Sequence, residues 1–131
     1  MKRQKIKSPG RSELVSLIHN IGGEEKLFKI LKDFYERMSK DLLIGFFFEN
    51  HDLEKIAQMQ RGFILNAAGL APYQGKGPST AHVALPPILS GHFDRRLMIL
   101  SETLEAHDLS ASDLKLWLQF EESFREMVVS K

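Results

Sequence analysis

The stretch "EEKLFKILKDFYERMSK", residues 24–40, decides the fold class. Leu27, Phe28, Ile30, Leu31, Phe34, Tyr35 and Met38 recur at spacings of three and four, which is one broad apolar face of an α-helix. Glu24 and Glu25 stand where the positive end of a helix dipole favours acids, and Lys40 where the negative end favours a base. On the N-terminal side, "SELVSLIHNIGG" (residues 12–23) repeats the pattern with Leu14, Leu17, Ile18 and Ile21. Ser12 is its expected N-cap and Gly22-Gly23 its stop. On the C-terminal side, "DLLIGFFFEN" (residues 41–50) is a linker too apolar to lie on a surface, so its phenylalanines are expected to plug something.

A third helix is expected from about Asp52 to Gly69, burying Leu53, Ile56, Phe63 and Ala67. "GLAPYQGKGPS" (residues 69–79) is the one loop rich in Gly and Pro. A short turn with His82 follows and ends at Pro86-Pro87. A long helix begins near Ser90 with Phe93, Leu97, Leu100 and Leu104 inward. The last begins at Ser110, with Asp113 as a weak capping partner, and carries Leu114, Trp117, Leu118, Phe124 and Val128. No stretch alternates as a strand would, and no repeat is visible. The fold class is all-α.

Composition limits what such a chain can do. Its 131 residues fit one domain, and 43% are apolar, enough for a real core. The net charge of +1, with interspersed signs, argues against a nucleic-acid partner. Only "MKRQKIK" is locally basic, and it reads as a solvated terminus or a tether to an anionic partner. The absence of cysteine excludes disulfides, cysteine-based zinc sites and thiol catalysis. No apolar run is long enough for a membrane span, and no apolar signal core stands at the start. The expectation is a soluble, cytoplasmic protein.

Three residues break the apolar pattern. Gln60 lies between Ile56 and Phe63 on the apolar stripe of the third helix. Buried there, its amide needs a partner, either backbone or something in a cavity. Tyr35 poses the same choice on the second helix. His82 follows the flexible loop, and taken alone it reads most simply as structural. His19, His51, His82, His92 and His107 include no pair three or four apart, so a protein-only zinc site is not expected. One imidazole does suffice for haem iron, if an apolar slot such as "GFFF" walls the porphyrin. "GLAPYQGKG" imitates a phosphate-binding loop, but it has five residues between the glycines and Gly77 where Ser or Thr is required.

In order and spacing, "IGG", "DFYERM", "FFF", "LEKIAQMQ", "PYQG" and "AH" resemble the truncated hemoglobins, from about Ile21 to the C-terminus and best over Gly22 to His82. The subgroup with a distal Tyr-Gln pair is the most similar. The resemblance implies a two-over-two helical sandwich over residues 12–131, preceded by a basic extension over 1–11. It implies haem b as cofactor, with His82 as the iron ligand. Tyr35 and Gln60 then form the distal ligand pocket, and Phe47, Phe48, Ile56, Phe63 and Tyr73 contact the haem. Ile56 falls where many globins carry a distal histidine, so a five-coordinate iron is implied, with His51 the residue that could intrude.

The chain also departs from the family. Leu70 follows Gly69 where the family often has a second glycine. Met59 replaces a lysine that serves a haem propionate, leaving Lys55, Arg61 or Tyr73 for that role. Pro86-Pro87 is an unusual continuation. Near the position of a tryptophan carried by two of the three subgroups stand Arg95 and Arg96.

The function implied is reversible binding of O2, NO or CO, as in oxygen transport, with oxidation of nitric oxide to nitrate by way of an external reductase as an enzymatic form. A haem-based gas sensor or electron-transfer module acting through a partner protein is the alternative. A haem-free helical adaptor, with Tyr35, Gln60 and His82 all structural, is a third reading.

Overall fold

The structure is a computed structural model that describes residues 8–72 and 87–130. All regular structure among these residues is helical: α1 (Arg11–Ile21), α2 (Glu24–Ser39), a 3-10 turn (Gly45–Phe48), α3 (Leu53–Ala67), α4 (Ser90–Ala106), α5 (Ala111–Glu122) and the short α6 (Arg125–Val128). Two helix pairs make the body, α2 with α3 and α4 with α5. Contact between α2 and α4 joins them, and α1 closes one end against α2 and α5. This is the two-over-two layering that the resemblance implies.

The core is built from the stripes read in the sequence. Leu14, Leu17 and Ile18 of α1 meet Leu27, Ile30, Leu31 and Phe34 of α2, and Trp117 and Phe120 of α5. Each such side chain, removed from water, stabilises the fold by about 1.5–3 kcal/mol. The helix ends follow local rules. Gly22 takes φ 115°, and the Gly22 and Gly23 amides donate to His19 and Ile18 carbonyls, which ends α1. The Asp52 carboxylate accepts the Lys55 amide to start α3, and the Ser110 hydroxyl accepts the Asp113 amide to start α5.

Three expectations need correction. The N-cap of α1 is Gly10, not Ser12, because the Glu13 carboxylate reaches back 2.9 Å to the Gly10 amide and starts the helix earlier. The linker after α2 is not wholly inward. Leu42 is fully exposed and Leu43 and Phe46 are largely so, while Ile44 is buried. The Asp41 carboxylate accepts the Leu43 and Ile44 amides and takes the Arg95 guanidinium at 2.7 Å, and this turn leaves two leucines outside. In α3 the fully buried residues are Ala57, Ile64 and Leu65. Leu53, Ile56, Phe63 and Ala67 are only half-buried, and Ile56 and Phe63 border a cavity.

Candidate functional site

A cavity of about 390 Å³ opens between α2, the 3-10 turn, α3, α4 and the C-terminal segment. This is the size range of small-molecule and cofactor sites. Its walls come from Tyr35 and Met38 on α2, Ile44, Phe47 and Phe48 in the linker, and Ile56, Met59, Gln60 and Phe63 on α3. His92, Phe93 and Arg96 of α4 face them, with Ile88, Glu121, Phe124 and Val128.

Gly45 sets the aromatic wall. A Cβ there would come 2.7 Å from the Ser39 carbonyl oxygen, so only glycine lets the chain fold back on the end of α2 and point Phe47 and Phe48 inward. Phe48 meets the Tyr35 ring edge-on at 5.8 Å, and Phe47 meets His92 edge-on at 5.2 Å. On the opposite side, Phe63, Phe120 and Phe124 form an aromatic cluster. Arg125 pins that side. Its guanidinium bonds Asp94 and Glu122 at 2.6 Å, reaches Ser90, and lies 4.7 Å over the Phe93 ring. The Ser130 amide donates to the Ile88 carbonyl at 2.7 Å, tying the C-terminal end to the segment that enters α4.

The sequence-derived residues divide cleanly. Tyr35, Phe47, Phe48, Ile56, Gln60 and Phe63 all line this one cavity. His82 and Tyr73 lie outside the described residues. Gln60 has no hydrogen-bond partner among the described residues for its amide, which borders the cavity. His51 also lines the cavity, from just before α3. Of the candidate propionate partners, Arg61 is engaged 4.8 Å from the centre of the Phe28 ring.

His92 is also a wall residue. Its Nδ1 accepts the Leu89 amide at 3.0 Å, so the ring caps α4. In that neutral tautomer Nε2 carries the proton and is not free to ligate a metal. Among the described residues no cluster of three or more His, Cys, Asp or Glu is placed to hold a metal ion.

Charge enters the wall at one place. Arg96 donates from Nη2 to Glu121 Oε2 at 3.2 Å, and Glu121 is only 5% exposed. Burial would lower the Arg96 pKa, but Glu121 and Tyr35 outweigh it and hold the guanidinium firmly protonated. Burial raises the Tyr35 phenol above its ordinary value. Arg96 opposes that rise through its positive charge, and Glu121 adds to it. Glu121 and Arg96 were not singled out as pocket residues, because a charged residue in a helical pattern reads as solvent-facing.

The comparisons with known proteins agree with this geometry. Residues 16–130 match the family described as bacterial-like globin. The chain belongs to that family, and its fold is that of the truncated hemoglobins. Group 1 truncated hemoglobin LI410 of Chlamydomonas moewusii is 31% identical over 101 residues, covering 76% of this chain and 59% of its own length. The chain thus matches about three-fifths of that relative. Truncated hemoglobin from Tetrahymena pyriformis in the Fe(III) form superposes with a TM-score of 0.79 at 23% identity, over 88% of this chain and 98% of its own. The 2/2 hemoglobin from Synechococcus sp. PCC 7002, solved in the cyanomet state with covalently attached heme, gives 0.76 at 24% identity over the same shares.

Proposed function

We propose that the chain is a haem-b protein that reversibly binds O2 and other diatomic gases. One observation carries this reading: a cofactor-sized cavity with aromatic and aliphatic walls into which Tyr35 and Gln60 bring polar tips. The residues present fit a porphyrin. Phe47 and Phe48 offer flat apolar surface on one side, Ile56 and Phe63 on another, and the Gln60 amide, without a partner among the described residues, is left for something the cavity holds.

His82 is proposed as the iron ligand and Tyr73 as a haem contact, on the match to the family's motif. Haem b, when bound, would supply an iron able to take O2, NO or CO. The chain's own residues then discriminate among those gases. Tyr35 and Gln60 are donors for a polar ligand, in the manner of the Tyr-Gln subgroup. Ile56 cannot ligate and keeps the position beside them open. Oxidation of nitric oxide to nitrate is the enzymatic form of the same reading. The balance is one NO, one O2 and one electron per nitrate, and the electron has to come from an external reductase. Residues 12–131 form the globin domain in this reading and 1–11 a basic extension. Among the described residues no helix is long and apolar enough to cross a membrane, and a cytoplasmic location is part of the proposal.

Absorption spectroscopy of the purified protein tests the reading directly, because a haem protein shows an intense visible band and a helical adaptor shows none. His82→Ala should lose stable haem or change its coordination. A variant with the parent's reduced and CO-bound spectra would remove His82 from the proposal. Tyr35→Phe should speed O2 dissociation by roughly tenfold to a hundredfold, the loss of a charge-assisted hydrogen bond of about 1.5–3 kcal/mol, with a smaller change for the less polar CO. An O2 off-rate equal to the parent's would mean that the phenol does not face the ligand.

A further inference from the structure

One side of the cavity is walled by two parts of the chain that meet along a seam. Ile88 and Phe93 come from the start of α4, and Phe124 and Val128 from the residues after α5. The second pair belongs to a strap, α6 with the residues up to Ser130. The strap is held differently from the longer helices. None of the four residues of α6 is buried, whereas each of α1 to α5 buries at least three. Only Phe124, at its start, joins an aromatic cluster, with Phe63 and Phe120. A segment with so little buried surface opens locally at small cost unless polar contacts hold it.

Arg125 makes those contacts. Arginine has five N–H donors, and here all are engaged. Nε donates to Glu122 Oε2 at 2.6 Å and Nη2 to Glu122 Oε1 at 3.1 Å, on the strap's own side of the seam. The other three bonds cross it. Nη2 donates to Asp94 Oδ1 at 2.6 Å, and Nη1 to the Ser90 hydroxyl at 3.0 Å and the Ser90 carbonyl at 3.3 Å. The guanidinium also covers the Phe93 ring at 4.7 Å. The Ser130 amide adds one more crossing bond, to the Ile88 carbonyl. We infer that the strap is a latch over the cavity, and that Arg125 holds it shut and so sets how long an occupant stays. Opening breaks these bonds and parts Phe93 from Phe124. It leaves the closed core among α1, α2 and α5 intact, so it is a local event and not unfolding. The Asp94 side chain is 64% exposed, so salt screens that part of the latch. The inference rests on the haem reading only for the identity of what is released.

Hydrogen exchange on the full chain reads the latch without reference to haem. The Val129 and Ser130 amides should exchange well ahead of those of Ile30 and Leu31 in α2. Asp94→Asn removes one crossing bond at an exposed carboxylate, and should speed exchange in the strap by roughly twofold to fivefold. Arg125→Met removes all the guanidinium's crossing contacts and should speed it by roughly tenfold or more. Arg125→Lys keeps the charge, loses the planar fork and should fall between. Exchange in α2 should be the same in all. Transfer of haem to excess apomyoglobin should quicken in the same order. Added salt should quicken release from the parent and not from Asp94→Asn, a signature that lost packing alone does not give. Where Arg125→Met fails to fold, Asp94→Asn carries the test.

Strap amides that exchange in step with α2 in the parent overturn the latch. Strap exchange that quickens while haem release keeps the parent's rate overturns it also, because the occupant then leaves by another route. The haem reading stands in both cases. If the purified protein carries no haem, the proposed function fails, and release of the neutral dye Nile red from the same cavity takes the place of haem transfer. The same order of variants is expected there, and equal rates in all of them overturn the latch.

Discussion

Helix α2 borders two regions built on opposite terms. Toward α1 and α5 its Leu27 helps close an apolar contact whose remaining void is about 10 Å³, lined by Leu14, Leu17, Ile18 and Trp117 among others. That is at the lower limit for holding one water, and its lining is apolar, so it stays dry. One turn from the other end, Tyr35 and Met38 border about 390 Å³. Around the first void every lining residue but Ile21 is buried. The wall of the second is mixed: Tyr35 and Met38 are buried, whereas Ile56 and Phe63 on α3 are only half-buried. The stripe of α3 that faces the cavity thus contributes less to stability than its hydrophobicity promises, and its value lies in what it can hold.

That contrast can be broken by truncation. Leu27→Ala should cost about 2–5 kcal/mol, as large-to-small changes in closed cores do. In thermal unfolding of the haem-free protein this is a fall in Tm on the order of 10 °C. Ile56→Ala removes a comparable side chain from a wall that already faces space, and its cost should be well under half as large. Equal costs at the two positions would mean that the cavity is closed and packed in solution.

Gly45→Ala sharpens the contrast at the seam between the regions. The new methyl would sit 2.7 Å from the Ser39 carbonyl oxygen, so backbone has to shift. Overpacking of this kind costs about 1–3 kcal/mol. Here the shift should also displace Phe47 and Phe48, which follow in the same turn. The near-ultraviolet circular dichroism of the aromatic wall should change in proportion more than the helical signal. A variant with parent-like aromatic spectra and Tm would show that the turn relaxes without moving the wall.

How far the sequence could be read follows the same division. The closed core was legible, because Leu14, Leu17, Ile18, Leu27, Ile30, Leu31 and Phe34 fall on helical stripes that have only one way to be buried. The α3 stripe was legible as apolar, but period cannot tell a face that meets a core from one that meets a cavity. Leu42 and Leu43 were misread because composition ignores the Asp41 hydrogen bonds that turn the linker outward. Tyr35 and Gln60 stood out as polar residues on apolar faces. Glu121 and Arg96 did not, because the partner that lets each be buried is 25 residues away along the chain. The capping bond of His92 to Leu89 was not legible, since it has no signature beyond a histidine at the third position of a helix.

The smallest effect expected is at the edge of the open region, and pH reads it. Asp41 holds the linker with two backbone amides and the Arg95 guanidinium. The Arg95 hydrogen bond lowers its pKa most. Burial opposes, the Leu43 and Ile44 amides lower it further, and the net result lies below the ordinary carboxylate value of 3.8. A carboxyl depressed in the folded state favours folding above its unfolded pKa, and the contribution is lost as pH falls through the folded value. Asp41→Asn should therefore lower Tm by a constant amount from neutral pH down to about pH 4. Below that the two melting curves should converge as the parent's Asp41 protonates. Asp33 is depressed as well: burial raises it, but hydrogen bonds from Arg37 and His107 prevail. It titrates in both proteins and cancels in the difference. A gap between the curves that persists undiminished at the lowest pH would assign the loss to the asparagine's poorer fit in the turn. The charge on Asp41 would then not be what holds Leu42 and Leu43 outside and Phe47 and Phe48 in.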